Sequence, residues 1–413
     1  MTTTTPAHAP NAVRTPAKAW RMLALAVAGQ AVATFLVSTP AFLIPQLHLE
    51  QGVPLGLAGL LSAAPTVGMV ATLVLWGALA DRRGERSVIA GGLALTAVFA
   101  AATALAADVF GLLVAMLVLG GAASAATNSA SGRVVIGWFP RERRGLAMGI
   151  RQMCQPLGVA LAAAVVPSLA ELHGIAAPFW LAAALTGILA IACFLGIRNP
   201  PRPPARPLAD TVTGAVRDAR AANPYRGQWF LQRIHAVSVL LVVPQFALST
   251  FGLVWLITDL GYSAGAAGAV VAVSQLVGAF GRIGIGALSD RVGSRVRVLR
   301  LVAVAVVGLL LATALVGELH WAVAGAIVFV IATTASVADN GLAFTSVAEA
   351  AGHAWSGKAL GIQNTGQFVA ASAVGPLVGV LITAVGYPLA FALLAIAPAA
   401  ALPLVPGHDE HRD

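Results

Sequence analysis

Twelve apolar runs, each long enough to cross a bilayer, follow one another along this chain with little between them. A span needs about 20 apolar residues. The runs cover roughly 20–46, 55–80, 87–107, 109–139, 145–170, 175–197, 227–258, 264–289, 295–317, 320–349, 356–385 and 387–405. In lipid, a segment must satisfy its own backbone polar groups, so each run is expected to be a helix. The alternating pattern of a membrane barrel strand is absent. Charge content agrees. Only 10% of residues are charged and 58% are hydrophobic, whereas a soluble domain carries about 25% charged residues. A soluble enzyme, a secreted disulfide scaffold and a disordered chain are excluded. The expected fold class is an all-α membrane protein of twelve transmembrane helices.

The formal charge of +9 would point to nucleic acid if the basic residues formed a surface patch. They do not. With the N-terminus inside, all but four of the 25 Lys and Arg residues fall in segments on one side. Examples are Arg82, Arg83 and Arg86, then Arg141, Arg143 and Arg144, and later Arg291, Arg295, Arg297 and Arg300. The opposite loops carry Glu50, Asp108, Glu171, Asp259 and Glu318. Basic loops stay cytoplasmic. The expected location is therefore the cytoplasmic (inner) membrane, with both termini cytoplasmic. The lipid bilayer is the expected surrounding, and no nucleic acid is expected as partner. Cys154 and Cys193 sit in apolar runs and say nothing about compartment.

One long polar break, 198–226, opens with Asn199-Pro-Pro-Arg-Pro-Pro. It divides the chain into a tail at 1–19, a six-helix bundle at 20–197, a cytoplasmic linker at 198–226, a second six-helix bundle at 227–405 and a tail at 406–413. The two halves repeat each other. Gly77-Ala-Leu-Ala-Asp81-Arg82-Arg-Gly84-Glu-Arg86 recurs as Gly286-Ala-Leu-Ser-Asp290-Arg291-Val-Gly293-Ser-Arg295. Further on, Ser124 matches Ser336, Asn128 matches Asn340, Gly145 matches Gly357 and Gln155 matches Gln367, all 212 positions apart. A duplicated six-helix unit is a transporter architecture, with its site near the midplane between repeats. In the loop, glycines at 77 and 84 are expected to permit close helix approach and a tight turn. The Arg residues are expected to pair with the Asp residues and nearby helix ends.

The Gly-x-Leu-Ala/Ser-Asp-Arg-x-Gly-x-Arg loop after helices 2 and 8 resembles the signature loop of the major facilitator superfamily. The resemblance covers essentially all of 20–405. It implies two pseudo-symmetric six-helix bundles. It also implies that Asp81, Arg82, Arg86, Asp290, Arg291 and Arg295 act as a conformational gate. Glu85 departs from the pattern, since the family usually has a second basic residue there. Gly281-Arg282-Ile-Gly-Ile-Gly286 resembles helix 8 of the oxalate and monocarboxylate transporters, where a matching arginine binds the substrate carboxylate. Drug/proton antiporters usually carry an arginine early in helix 4 and a Gly-Pro pair in helix 5. Here those positions are Met116 and Ala162-Ala163, which weakens a multidrug reading.

Ionisable groups inside spans are costly and point to function. Arg282 lies eight residues before Asp290, about 12 Å into the span, with Ser274 and Gly278 expected on its face. A guanidinium offers a fork to a carboxylate and stays charged. Arg151 is the expected second cation, four residues before Gln155. Arg133 reads better as an interfacial residue. Asp339, matched by Thr127 in the first half, is the one carboxylate well inside a span and the expected proton-coupling group. Glu349 is expected near a wet helix end, and His235 at an interface. Gln30 and Thr34 on helix 1, Asn128 on helix 4, Gln155 on helix 5, Gln245 on helix 7, Asn340 on helix 10 and Gln367 on helix 11 are the expected cavity lining. Any one of them alone reads more often as interhelical glue, and the set together fits a cavity lining better.

The expected function is secondary active transport of a small organic anion, a carboxylate, by alternating access with proton symport, by a functional monomer. Efflux of a neutral or cationic molecule is the alternative on the same fold, and a non-transporting sensor or scaffold the alternative of another class. No phosphate-binding loop, metal-ligand spacing or catalytic triad is seen in the sequence. No enzyme activity, cofactor or metal is expected.

Overall fold

The structure is a computed structural model that describes residues 17–139, 147, 150–199, 223–226 and 228–410. Ten helices are plain in the backbone: α1 Ala17–Phe42, α2 Leu55–Arg83, α3 Glu85–Leu105, α4 Phe110–Trp138, α5 Cys154–His173, α6 Ala177–Gly196, α7 Phe230–Thr258, α8 Ala264–Val292, α9 Arg295–Glu318 and α10 Ala322–Ser336. No strand occurs among the described residues. Most of the linker expected at 198–226, and the basic residues Arg141, Arg143 and Arg144, lie outside the described residues.

After Ser336 the helix breaks for two residues. It resumes as continuous helical backbone, Asp339–Leu394. Straight, those 56 residues would reach about 84 Å, nearly three times an apolar bilayer core of about 30 Å. The chain turns back inside this stretch, and α7 serves as a ruler. Near the start of α7, His235 meets Gln363. Near its far end, Trp255 packs edge-on against Phe391, with ring centroids 5.3 Å apart. Back at the start, Arg233 donates to the carbonyls of Pro403, Leu404 and Val405 at 3.0, 2.9 and 3.3 Å. The chain turns first between the spans Ala322–Ala351 and Ala359–Leu404 and again at Gly386, whose φ is 79°, two residues before Pro388. The segment 339–351 completes the tenth span, Ala322–Ala351, and is counted with α10; we label 359–385 α11 and 387–404 α12. Eleven described segments are long and apolar enough to span, and the last of them, Ala359–Leu404, holds both α11 and α12. The total is twelve.

Two helices are broken where the sequence explains it. Pro156 has no N–H for the carbonyl of Gln152. A turn at Met153, whose N–H bonds Ile150 O at 3.1 Å, separates Arg151 from the body of α5. In α10, the Ser336 hydroxyl donates to Thr333 O at 2.9 Å, a local bond that competes with the helix ladder. Asp339 therefore opens a new helical segment instead of lying within an unbroken span.

α1–α6 and α7–α12 form two bundles of related packing. Outward-facing apolar side chains such as Val74, Leu105, Leu195 and Leu377 are exposed, as lipid contact requires. The bundles meet along two seams. On α2 and α11, a methyl at Gly59 would overlap the carbonyl of Gly375, and one at Gly379 would overlap that of Leu55. On α5 and α8, Gly268 rests on the carbonyl of Ala163. Both seams lie toward the end of the molecule remote from the arginine-rich loops. Gly84 takes φ 85° and ψ 163°, a conformation reserved for glycine, and makes the expected tight turn. Among the described residues nothing packs against Gly77, so no close helix approach is seen there.

Candidate functional site

Two cavities are stacked along the seam. The first, about 170 Å³, is lined by α1, α2, α4, α5, α7, α8 and α11 near the glycine seam. The second, about 630 Å³, lies toward the arginine-rich end. Asn128, Gln155, Gln245 and Arg282 line both. Gln30 and Thr34 line the first. Arg151, Asn340 and Gln367 line the second. All nine polar residues singled out for substrate contact thus face one or both cavities, and they come from both halves of the chain.

Helix geometry decides which neighbours join them. On α1, Gln30, Thr34 and Ser38 share a face and all reach the first cavity. On α8 the expected face is one residue out. Ser274 is buried and donates back to Val271 O at 2.7 Å, and Gly278 packs against Val337. Gln275, seven residues before Arg282, lines the cavity instead. The i, i+7 spacing was there to be read.

The internal repeat appears as a pair of matched bonds. Gln30 Nε2 donates to Asn128 Oδ1 at 3.1 Å, linking α1 to α4. Asn340 Nδ2 donates to Gln245 Oε1 at 3.0 Å, linking α10 to α7. Around these pairs the halves differ. Gln367 donates to Asn340 Oδ1 at 3.0 Å. In the first half the corresponding place is taken by Arg151. It donates to Asn128 O at 2.9 Å and Oδ1 at 3.2 Å, to Ser131 Oγ at 2.9 Å and to Gln152 Oε1 at 3.2 Å. Ser131 in turn donates to Gln30 Oε1 at 2.7 Å.

Arg282 is the one charged side chain among the described residues lining the first cavity. Its Nε is buried without a hydrogen-bond partner. Asp339 lines neither cavity. It is 1% exposed, and neither carboxylate oxygen has a hydrogen-bond partner. It and Arg282 are close enough to interact electrostatically, though not paired within salt-bridge distance. The arrangement puts one guanidinium on the wall of an otherwise uncharged cavity, with a buried acid nearby.

The signature loops lie at the arginine-rich end. Arg82, Asp290 and Arg291 are exposed, and the Asp81 side chain lies outside the described set, as does that of Arg133. Arg86 donates to Phe194 O at 2.6 Å. Arg295 makes ion pairs with Asp290 at 2.6 Å and with Glu349 at 3.3 Å. Glu349, partly exposed near the end of its span, is thus also engaged by the loop. Glu85 is buried in the first turn of α3, where a carboxylate complements the helix dipole. His235 lies near the start of α7, as expected. It is half-buried between Tyr225 Oη at 3.0 Å and Gln363 Oε1 at 2.5 Å.

Twelve helices in two related bundles, with a polar cavity at their seam, define a polytopic membrane transporter. The profile described as Major Facilitator Superfamily matches residues 26–375. An uncharacterized MFS-type transporter of Mycobacterium tuberculosis is 45% identical over 389 residues, covering 94% of this chain and 84% of that protein. Among solved structures, a bacterial homolog of the human lysosomal transporter Spinster aligns with a TM-score of 0.73 at 16% identity, covering 93% of each chain. A D-xylose–proton symporter aligns with a TM-score of 0.73 at 15% identity, covering 94% of this chain and 98% of its own. The chain belongs to the Major Facilitator Superfamily.

Proposed function

We propose that this transporter carries a small organic anion, a carboxylate, across the cytoplasmic membrane by alternating access, in symport with protons and as a monomer. The observation that carries this reading is Arg282: a guanidinium facing an otherwise uncharged cavity, with its Nε unpartnered. A buried N–H without an acceptor is expensive, and a bound carboxylate would supply one to Nε.

With the basic loops on the cytoplasmic side, the wide cavity opens inward and the glycine seams close the outer side. Asp339 supplies the coupling. Anion binding neutralises the guanidinium, the nearby carboxylate then stands alone, and a proton neutralises it. The loop pairs of Arg295 with Asp290 and Glu349, with Asp81, Arg82, Arg86 and Arg291, form the gate that is remade in each cycle.

Reconstituted liposomes test this. Radiolabelled carboxylates and cationic drugs are offered with and without an inward proton gradient. Carboxylate uptake stimulated by the gradient is expected. Arg282→Ala should raise the half-saturation concentration roughly 30-fold or more, the loss of a hydrogen-bonded charge pair. Asp339→Asn should abolish the response to the gradient. Uptake of cations only, or undiminished anion transport by Arg282→Ala at equal expression, would refute the reading.

A further inference from the structure

The repeat provides an internal control for which polar groups are occupied in holding the fold. Asn128 and Asn340 occupy matched positions, as do Gln155 and Gln367. In the second half, Gln367 is bound to Asn340. In the first half, the Oδ1 of Asn128 already accepts from Gln30 and from Arg151. The place that Gln367 fills is therefore taken. Gln155 makes no side-chain hydrogen bond, is exposed and lines both cavities together with Arg282. Its neighbour Cys154 is close enough to Arg282 to interact with it electrostatically.

We infer that Gln155 is a specificity-determining residue that hydrogen-bonds a second polar group on the substrate, and that Arg151 is a positioning residue that keeps Gln155 available by occupying Asn128. The inference rests on the carboxylate reading above and narrows it. The substrate is a small carboxylate that also bears a hydroxyl or carbonyl oxygen. An amide both donates and accepts, so either group is served. The bound molecule bridges α5 of one bundle and α8 of the other.

Arg151 is expected to be lost from the substrate contacts themselves. Its guanidinium donates to four protein acceptors on Asn128, Ser131 and Gln152. A site built to hydrogen-bond an oxygen discriminates against the analogue without it, because the site's own group is then left unpaired.

The test uses the full chain in liposomes and two pairs of acids that differ by one oxygen: lactate with propionate, and malate with succinate. In the wild type, at least one pair should show a half-saturation concentration about tenfold lower for the oxygen-bearing acid. Gln155→Leu should bring that ratio close to one. Gln155→Glu, nearly isosteric, should raise both constants by placing a second negative charge beside the carboxylate. Arg151→Gln should also collapse the ratio, because Asn128 can then recapture Gln155 as Asn340 holds Gln367. Arg151→Lys should keep much of it. Arg151→Gln combined with Asn128→Ala lacks the Asn128 amide that would recapture Gln155 and should regain it. A purely structural role for Arg151 would not produce that recovery. A preference that survives Gln155→Leu, or that stays lost in the double variant, overturns the inference. So does a wild type that carries both acids of each pair equally well, which leaves the carboxylate reading standing. Accumulation of none of the four acids, alongside uptake of cationic drugs, removes the carboxylate reading and this inference with it.

Discussion

The loop between α2 and α3 and its repeat between α8 and α9 begin from nearly the same sequence and end with different chemistry. In both, a glycine turns the chain, and the residue that follows the last helix of the bundle returns to cap the next helix. Asn199 Oδ1 accepts from Arg86 N at 2.9 Å. Asp409 Oδ1 accepts from Arg295 N and Val296 N, each at 3.1 Å, and its Oδ2 accepts from Ser294 Oγ at 2.6 Å. The matched arginines then diverge. Arg86 lies over the Phe194 ring, 4.4 Å from its centroid, and bonds a carbonyl. Arg295 is held by two carboxylates. The duplication has kept the position of each bond and changed its kind. Among the described contacts, the Arg86 side chain is held by a neutral acceptor and a ring, and the Arg295 side chain by charge.

The backbones differ in the same sense, and this gives the largest expected effect. Gly84 has φ 85° and ψ 163°, outside the reach of any other residue, and the Asn199 side chain sits where a Cβ would go. Gly293 has φ 67° and ψ 21°, a left-handed conformation that asparagine tolerates. Gly84→Asn should cost about 3 kcal/mol or more and appear as a large drop in thermal midpoint or a failure to accumulate in the membrane. Gly293→Asn in the same assay should cost well under 1 kcal/mol. Equal losses at the two glycines would erase the distinction between the loops.

A smaller effect separates the arginines. Arg295→Ala should destabilise by about 1 kcal/mol, since its partners are only partly buried. The loss should shrink in molar salt, which screens such pairs. Arg86→Ala should cost about as much through lost packing and should not respond to salt. Thermal midpoints of the two variants at low and high salt make the comparison, and a parallel salt response would contradict it. The smallest effect is expected at the caps. Asp409→Asn keeps an acceptor for Arg295 N and should cost a few tenths of a kcal/mol.

Much of this could be read in the residues alone, because lipid leaves so few options. Spans of fixed length, one-sided basic loops and a repeated loop motif specify twelve helices in two related sets. The polar positions on α1 and α7 stood out because few polar residues interrupt those spans. The failures were of rotation and of partnership. One residue around α8 is about 100°, enough to exchange Ser274 for Gln275 at the cavity wall. Nothing local told Glu349 apart from an ordinary helix-end carboxylate. Its partner Arg295 is 54 positions away. The break that sets Asp339 at the head of a helical segment depends on a serine hydroxyl turned inward, a choice made by packing. Gln155 and Gln367 match in the sequence, yet only one is engaged, because an arginine four residues before Gln155 competes for the same oxygen.

The contact of Gly59 with Gly375 bears on the energy economy of a cell. If the wide cavity opens inward, as proposed, the barrier to ion leak must come from the other side. A seam in which one backbone rests on the next leaves no channel for a file of water, and hence no wire for protons. A methyl inserted there would pry the seam open. Its cost would be paid by the whole membrane, as a slow discharge of the gradient that drives every transporter within it.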